Sequence, residues 1–347
     1  MDAYYARQQM LWGAEGQAAL KKARVLVVGA GGLGCPALTY LTTAGVGQIT
    51  LMDPDKVETS NLHRQTLYRP GDEGKYKAHL AAERLAALNP DVRIEAHVLS
   101  LSLDNAETFI ADHDLVLDGT DNFGTRFLCG DVCATLNKTL VSAAIYRFEG
   151  QVGTFDGQIH YRDLYPEPPP PGSVPDCSEA GTVGAFVAVV AATQAAEALK
   201  ILTGMGENLR GKLWIFDGTT FRSSILTLTP NPDNPLRAGK AINPADYDFF
   251  CGTVPEITPQ ILSQWKAQNV DYFLLDVRTP AEVAQKSYGG YSIPMAELEN
   301  RTNELPQNRT IVVHCQTGKR SGQATALLRD RLGFKNAVNL VGTPETG

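Results

Sequence analysis

The stretch Arg24-Val25-Leu26-Val27-Val28-Gly29-Ala30-Gly31-Gly32-Leu33-Gly34 constrains the fold more than any other. A short apolar run ending in a glycine-rich turn reads as a buried parallel strand that feeds a helix. Gly29, Gly31 and Gly34 keep the G-x-G-x-x-G spacing, which lets the backbone turn tightly, come close to a ligand and aim the N–H groups of the next helix at an anion. A second strand, Gln48 to Met52, ends at Asp53, near the distance at which a Rossmann-type unit places an acid on ribose hydroxyls. These features predict an α/β unit with a mainly parallel sheet that binds a nucleotide. At this point the nucleotide is either a redox dinucleotide or ATP.

The next segments bear on that choice. A polar loop, Pro54 to Gln65, carries Asn61, His63, Arg64 and Gln65, and Lys75 and Lys77 stand just before an Ala-rich helix that runs to Leu88. A redox dinucleotide needs little positive charge beyond the helix terminus. A triphosphate that releases pyrophosphate needs cations where charge develops, and Arg64 and Lys77 supply them. The strand Asp114 to Asp118 ends in Gly119-Thr120-Asp121-Asn122 at the same carboxyl edge, where open parallel sheets bind ligands. Asp118 or Asp121 is suited to Mg²⁺, which takes few protein ligands plus phosphate oxygens; either could instead cap the following helix, Thr125 to Leu136. Cys129 and Cys133 share a face of that helix and read as buried thiols, since no further ligand is spaced nearby to complete a metal site.

Composition narrows the class. A chain of 347 residues, 43% hydrophobic, has material for one large and one small domain. The net charge of -7, without a dense basic patch, argues against nucleic acid as the main partner. The N-terminus lacks the basic-then-apolar pattern of a secretion signal, which predicts a cytoplasmic protein. The longest apolar stretch, Val183 to Ala192, is read as too short to span a bilayer and as part of a buried helix. Six cysteines, irregularly spaced, do not suggest a disulfide framework.

Taken together, Gly29 to Gly34, Asp53, Asn61-Leu62-His63-Arg64-Gln65, Lys77 and Asp118 to Asn122 resemble the MoeB/ThiF/HesA family, relatives of the ubiquitin-activating enzymes, over about residues 4 to 230. The resemblance implies ATP as the nucleotide, with Gly29, Gly31, Gly32, Gly34, Asp53, Asn61, Arg64, Gln65, Lys77 and Asp121 around it and Mg²⁺ at Asp121. It implies a ubiquitin-like sulfur-carrier protein ending in Gly-Gly as second substrate. Arg7 matches the family arginine that reaches ATP in the other protomer, which implies a homodimer.

Past Gln151-Val152 the chain enters Tyr165 to Cys177, where proline density excludes helix and central strand and leaves a semi-rigid extended loop. Cys177 lies at its end, just ahead of the long apolar helix, where a helix dipole favours a thiolate. In MoeB-like enzymes the matching cysteine is thought to act in thioester or persulfide chemistry. Relatives commonly hold a structural zinc with two cysteine pairs; this chain has Tyr161-Arg162-Asp163 and Asn231-Pro232-Asp233-Asn234-Pro235 at those places, so no zinc is expected.

From Pro230 to about Val254 the composition shifts to Asn, Pro, Asp and Gly, which reads as a linker. A second αβ pattern follows, with strands Tyr272 to Arg278 and Thr310 to His314. The latter runs into Cys315-Gln316-Thr317-Gly318-Lys319-Arg320-Ser321 and a helix to Leu328. Successive N–H groups, a helix N-terminus and Arg320 around one sulfur form an anion nest with a reactive thiol. Only four residues separate Cys315 from Arg320, one fewer than a cysteine phosphatase needs, and the smaller ring suits a sulfur-sized substrate. This loop and Leu275-Asp276-Val277-Arg278 resemble the rhodanese family, implying a persulfide on Cys315 held by Gly318, Arg320 and Ser321. The family's usual Gly-His-Ile-Pro-Gly-Ala is shortened to Ser287-Tyr288-Gly289-Gly290-Tyr291-Ser292, and a further loop and helix beyond Val341 would be expected of it.

The expected organisation is therefore residues 1–232 as an adenylyltransferase domain, 233–254 as linker and 255–347 as a small α/β rhodanese-like domain. The expected function is ATP-dependent adenylation of the carrier's C-terminal glycine, then sulfur transfer to a thiocarboxylate, with Arg7, Arg64, Asp121, Cys177 and Cys315 in the chemistry. A sulfur donor such as a cysteine desulfurase is implied; a nucleic acid or a membrane is not. Two other classes share parts of the pattern: a NAD-dependent oxidoreductase, through the glycine loop and Asp53, and a non-catalytic scaffold for a ubiquitin-like protein.

Overall fold

Register at one sheet edge explains why distant segments meet. In a computed structural model, which describes residues 2–168, 181–239, 247 and 254–344, helix α1 (Asp2–Lys22) leads into β1 (Arg24–Val28), α2 (Gly34–Ala44), β2 (Gln48–Met52), α3 (Lys77–Leu88), β3 (Arg93–His97), α4 (Ala106–Ala111), β4 (Leu115–Asp118) and α5 (Phe123–Thr135). The chain continues through β5 (Thr139–Tyr146), β6 (Glu149–Phe155), α6 (Tyr161–Leu164), α7 (Gly184–Thr203), β7 (Lys212–Asp217) and β8 (Arg222–Thr227). The eight strands form one sheet in the order β3-β2-β1-β4-β5-β6-β7-β8. It is parallel from β3 to β5 and antiparallel from β5 to β8. Val28 lies beside both Met52 and Asp118, so Gly29, Asp53 and Gly119 leave three adjacent strands at one carboxyl edge. Val25, Leu26, Val27 and Leu115 to Leu117 are fully buried, as strands covered on both faces require.

Helix α7 is longer than its apolar run suggested. With 20 residues it is long and apolar enough to cross a membrane on length and composition alone, so the expectation of too short a stretch is corrected. Its polar residues show why it belongs to the core. Buried Gln194 donates through Nε2 to the Asp118 and Val141 carbonyls (2.7 and 2.9 Å), and buried Glu197 accepts from Thr154 Oγ1 (3.0 Å) and pairs with Lys200 (2.7 Å). Hydrocarbon would leave these groups without partners.

The segments that lack the family's cysteine pairs are joined by a carboxylate. Buried Asp163 on α6 accepts from Asn231 N (3.0 Å), Asn234 Nδ2 (2.8 Å), His160 N (2.8 Å) and the Arg237 guanidinium (2.6 and 2.7 Å). Its neighbour Arg162 pairs with Asp131 on α5 in a buried, bidentate contact (2.7–2.9 Å). Asn231 to Arg237 are thereby folded against the first unit, although their composition reads as linker.

The described residues fall into two compact units, 2–167 with 181–239 in the first and 168, 247 and 254–344 in the second. In the second, β9 (Glu256–Ile257), α8 (Pro259–Ala267), β10 (Tyr272–Asp276), α9 (Pro280–Gln285), β11 (Tyr291–Ser292), β12 (Thr310–His314), α10 (Lys319–Ala326) and β13 (Ala337–Leu340) follow in order. Its sheet is parallel, in the order β11-β10-β12-β13-β9. Val312 and Val313 are fully buried in its centre, and Cys315 leaves the carboxyl end of that central strand.

Candidate active sites

In the first unit the floor of the site is backbone. Gly29 has φ +95°, and a Cβ on Gly34 would stand 2.0 Å from the Gly29 carbonyl oxygen, so the first turn of α2 packs directly under the loop. Asp53 is buried and accepts from Ala30 N (2.7 Å) and Asp55 N (2.8 Å). The acid expected on a ribose thus also fixes the glycine loop, and carboxylate lone pairs remain for a hydroxyl. Burial pushes its carboxyl above the ordinary range, with Lys77 opposing.

Arg64 and Gln65 face this floor. A Cβ on Gly32 would meet Arg64 Cγ at 3.4 Å, and one on Gly31 would meet Gln65 Nε2 at 3.6 Å. Asn61, also buried, organises both: its Oδ1 accepts from Arg64 (3.2 Å) and Gln65 Nε2 (3.0 Å). Lys77 opens α3 with its side chain 6% exposed and its Nζ 2.9 Å from Asp55 Oδ2. Burial acts to lower its pKa, but Asp53, Asp55 and Asp121 outweigh that and hold it above the ordinary lysine value. It is a buried, charged ammonium amid three acids.

Asp118 and Asp121 separate cleanly. Asp118 is fully buried and committed: Oδ1 accepts from Thr120 N and Oγ1 (3.0 and 2.6 Å), Oδ2 from Arg126 Nε and Ser142 Oγ (3.2 and 2.8 Å). Asp121 is exposed. Neither caps α5, because Asn122 Oδ1 does so by accepting from Thr125 N (2.8 Å). Asp55, Arg126, Ser142 and Gln194 support the site without having been singled out; only Asp55 carried a signal, its place two residues after Asp53.

Arg7 lies exposed on α1, and Cys177 falls outside the described residues. Cys35, Cys129 and Cys133 are buried. Burial pushes the Cys35 thiol up to about 12 and raises Cys133 as well, which disfavours the nucleophilic thiolate at both. Among the described residues no cluster of three or more His, Cys, Asp or Glu could hold a metal ion. A lone exposed carboxylate such as Asp121 still fits Mg²⁺, which relies on phosphate oxygens and water for its other ligands.

The second site is a cradle for one sulfur. Cys315 Sγ accepts from Gly318 N (3.2 Å), Ser321 N (3.4 Å) and Ser321 Oγ (3.4 Å). Gly318 makes the turn at φ +90°, where a Cβ would also stand 3.1 Å from Val341 Cα. Arg320 donates to both oxygens of Glu282 (2.9 and 2.6 Å), which holds the Glu282 carboxyl down at about 2. Arg278 forks onto Asp276 (2.6–3.1 Å) and lies 4.5 Å from the Tyr288 ring centre, while Tyr288 reaches Gln316 through its hydroxyl (3.4 Å). The residues of the shortened stretch therefore stand beside the loop.

With this geometry in hand, comparison with known proteins decides the family. The sequence matches the ThiF family over residues 5–236 and the rhodanese-like domain over residues 258–343. The chain belongs to the ThiF family. This ThiF-family protein, with its C-terminal rhodanese-like domain, is 42% identical to "Probable adenylyltransferase/sulfurtransferase MoeZ" of Mycobacterium tuberculosis (strain CDC 1551 / Oshkosh), over 95% of its own length and 88% of the relative's. It is 48% identical to the "Sulfur carrier protein adenylyltransferase" of Thermus thermophilus, over 72% of its own length and 96% of the relative's. Its fold is shared with E. coli MccB in a crystal structure with MccA-N7isoASN, at a TM-score of 0.59 and 20% identity, covering 67% of this chain and 73% of that one.

Proposed function

We propose that this ThiF-family protein adenylates the C-terminal glycine of a ubiquitin-like sulfur-carrier protein with ATP and then delivers sulfur to it as a thiocarboxylate. The observation that carries the reading is the edge where the glycine floor, Arg64, Lys77 and Asp121 converge, since a leaving pyrophosphate needs such fixed cations. The names of the relatives support both halves, adenylyltransferase and sulfurtransferase.

In this account Gly29, Gly31, Gly32 and Gly34 supply backbone to the phosphates, Asp53 takes the ribose, and Asn61 steadies both Arg64 and Gln65. The carrier's carboxylate oxygen attacks the α-phosphorus of ATP. Pyrophosphate leaves with the electrons of the broken P–O bond, its charge met by Arg64, Lys77 and the Arg7 of a second copy. Asp121 would hold Mg²⁺, which when bound supplies further neutralisation of phosphate charge. The carboxyl adenylate that remains has AMP as leaving group, so the outer sulfur of a persulfide on Cys315 can attack the acyl carbon and AMP departs with the electrons of the broken C–O bond, where a bare carboxylate would not react. Cys177 is the candidate thiolate for the next step, attack on the inner sulfur of the acyl persulfide: the S–S bond to the outer sulfur breaks, the thiocarboxylate leaves with that electron pair, and the disulfide that forms is reduced by an external thiol. A cysteine desulfurase is the proposed source of sulfur, and the cytoplasm the proposed compartment.

The homodimer is supported by an apolar face on the first unit. A groove of about 250 Å³ is lined by Gln8, Tyr40, Ala192, Ala195, Ala196 and Leu199 among others, and Met10, Leu11 and Tyr40 are exposed nearby in sequence or on its wall. For the domains we propose residues 1–232 as the adenylating part and 255–347 as the persulfide part, joined through 233–254, of which the stretch to Gly239 lies in the first unit.

The test is ATP–pyrophosphate exchange with the purified chain and carriers ending in Gly-Gly, offered singly. Exchange that depends on one carrier is the expected result. Tight NAD binding without exchange would replace this reading with an oxidoreductase, and carrier binding without exchange would replace it with a scaffold.

A further inference from the structure

The arginine of the sulfur loop is not presented to a donor as a bare charge. Arg320 immediately precedes Ser321, whose N–H and hydroxyl both touch Cys315 Sγ at 3.4 Å. Its guanidinium is forked onto Glu282, NH1 to Oε2 at 2.9 Å and NH2 to Oε1 at 2.6 Å, with the arginine side chain 16% exposed and the glutamate 35%. Thr279 fixes that carboxylate from the other side, donating to Oε2 through its N–H (2.9 Å) and hydroxyl (2.7 Å). The pair is thus built in rather than a chance meeting of two surface side chains. A bidentate, partly buried pair of this kind is the strong form of the interaction, and it offsets the charge of the arginine that the loop carries.

We infer that Glu282 is a positioning residue that sets donor specificity at Cys315: by occupying both arms of Arg320 it withholds that charge from the incoming sulfur donor. The loop then takes sulfur from singly charged persulfide-type donors in preference to dianions such as thiosulfate. The inference rests on the proposed persulfide role of Cys315. In the loading step the Cys315 thiolate attacks the outer sulfur of the donor, a new S–S bond forms, and the donor's own sulfur bond breaks with its electron pair. Thiosulfate therefore leaves as sulfite, methanethiosulfonate as methanesulfinate and a persulfide as its thiolate. Cyanide then removes the outer sulfur as thiocyanate and regenerates the thiolate. No oxidant or reductant is consumed.

The experiment measures thiocyanate formation from thiosulfate, a dianion, and from methanethiosulfonate, a monoanion, with cyanide as acceptor, in the full-length protein. The readout is the ratio of kcat/KM for the two donors, which does not depend on how much of a preparation is folded. Glu282→Gln is expected to raise the thiosulfate-to-methanethiosulfonate ratio about tenfold, because removing one negative charge beside the loop favours each further negative charge on the donor, and added salt should shrink the gain. Glu282→Asp, which keeps the charge, should hold the ratio near that of the unaltered protein. An unchanged ratio in Glu282→Gln, with both donors slowed alike, would show that Glu282 only braces the loop and would overturn the inference. Absence of thiocyanate and of any sulfur added to Cys315, by mass spectrometry, with either donor in all three proteins would instead overturn the persulfide role itself.

Discussion

Single atoms decide whether the glycine loop can form. A methyl group on Gly34 would sit 2.0 Å from the Gly29 carbonyl oxygen, a backbone atom with no freedom to swing away. Gly34→Ala should therefore displace the loop, at a cost of about 1–3 kcal/mol for overpacking, and lower the melting temperature; a variant as stable as the original would contradict the packing described. Asp121→Ala is a different kind of change, since the side chain is exposed and the fold should survive it. Pyrophosphate exchange should fall about 100-fold or more if this carboxylate serves the phosphates, and unchanged exchange would remove it from the proposed site. That the glycine loop and Asp53 lie at one sheet edge was legible from their places after strand ends, and Arg64 and Lys77 from their charge close behind, whereas Asn61 and Gln65 entered only through the family resemblance of their block. Arg126, Ser142 and Gln194 were legible in neither way. Their role is to satisfy the buried Asp118 carboxylate and strand-end carbonyls across 8 to 76 residues of chain, and only the folded sheet brings such partners together.

Elements are fastened to one another by buried polar groups as well as by apolar packing. The Asp163 cluster fixes α6 to the segment 231–239, so removal of the carboxylate would take the acceptor from the Asn231 N–H and the Asn234 amide and leave Arg237 only the Gln158 carbonyl of the acceptors described for it. Asp163→Ala should cost about 2–4 kcal/mol and speed amide hydrogen exchange in residues 231–239; exchange at the original rate would show that the segment is held otherwise. Burial acts to raise the Asp163 carboxyl, yet Arg237, Asn234 and the Asn231 and His160 N–H groups outweigh it and hold it well below the usual range. A depressed folded-state pKa means that the fastening is complete above the unfolded value near 4 and is lost progressively as pH falls from there through the lower folded value. Acid should therefore loosen 231–239 only below about pH 4, and Asp163→Asn should flatten that part of the pH profile. Strand and helix order was readable from periodicity, whereas this cluster was not: Asn, Pro and Asp in 231–235 have the composition of a linker, and their folding depends on one carboxylate 68 residues earlier. The length of α7 was misjudged for a related reason, since Gln194 and Glu197 interrupt the apolar run in sequence but find partners inside the protein.

At the level of the whole molecule, one chain carries a glycine-floored edge built from β1, β2 and β4, proposed for ATP, and a cradle for the Cys315 sulfur at the end of β12. Each is coherent within its own unit, and the proposed function links them through chemistry: activation creates the leaving group that the sulfur nucleophile displaces. The measurement that tests this most directly supplies the purified chain with ATP, its carrier and a persulfide donor, and follows pyrophosphate and carrier mass together in the original protein and in Cys315→Ser. The account predicts pyrophosphate release by both proteins, and a carrier that gains the mass of a thiocarboxylate only with the original. Thiocarboxylate formed at full yield by Cys315→Ser would contradict it, as would a variant that has lost adenylation together with sulfur transfer.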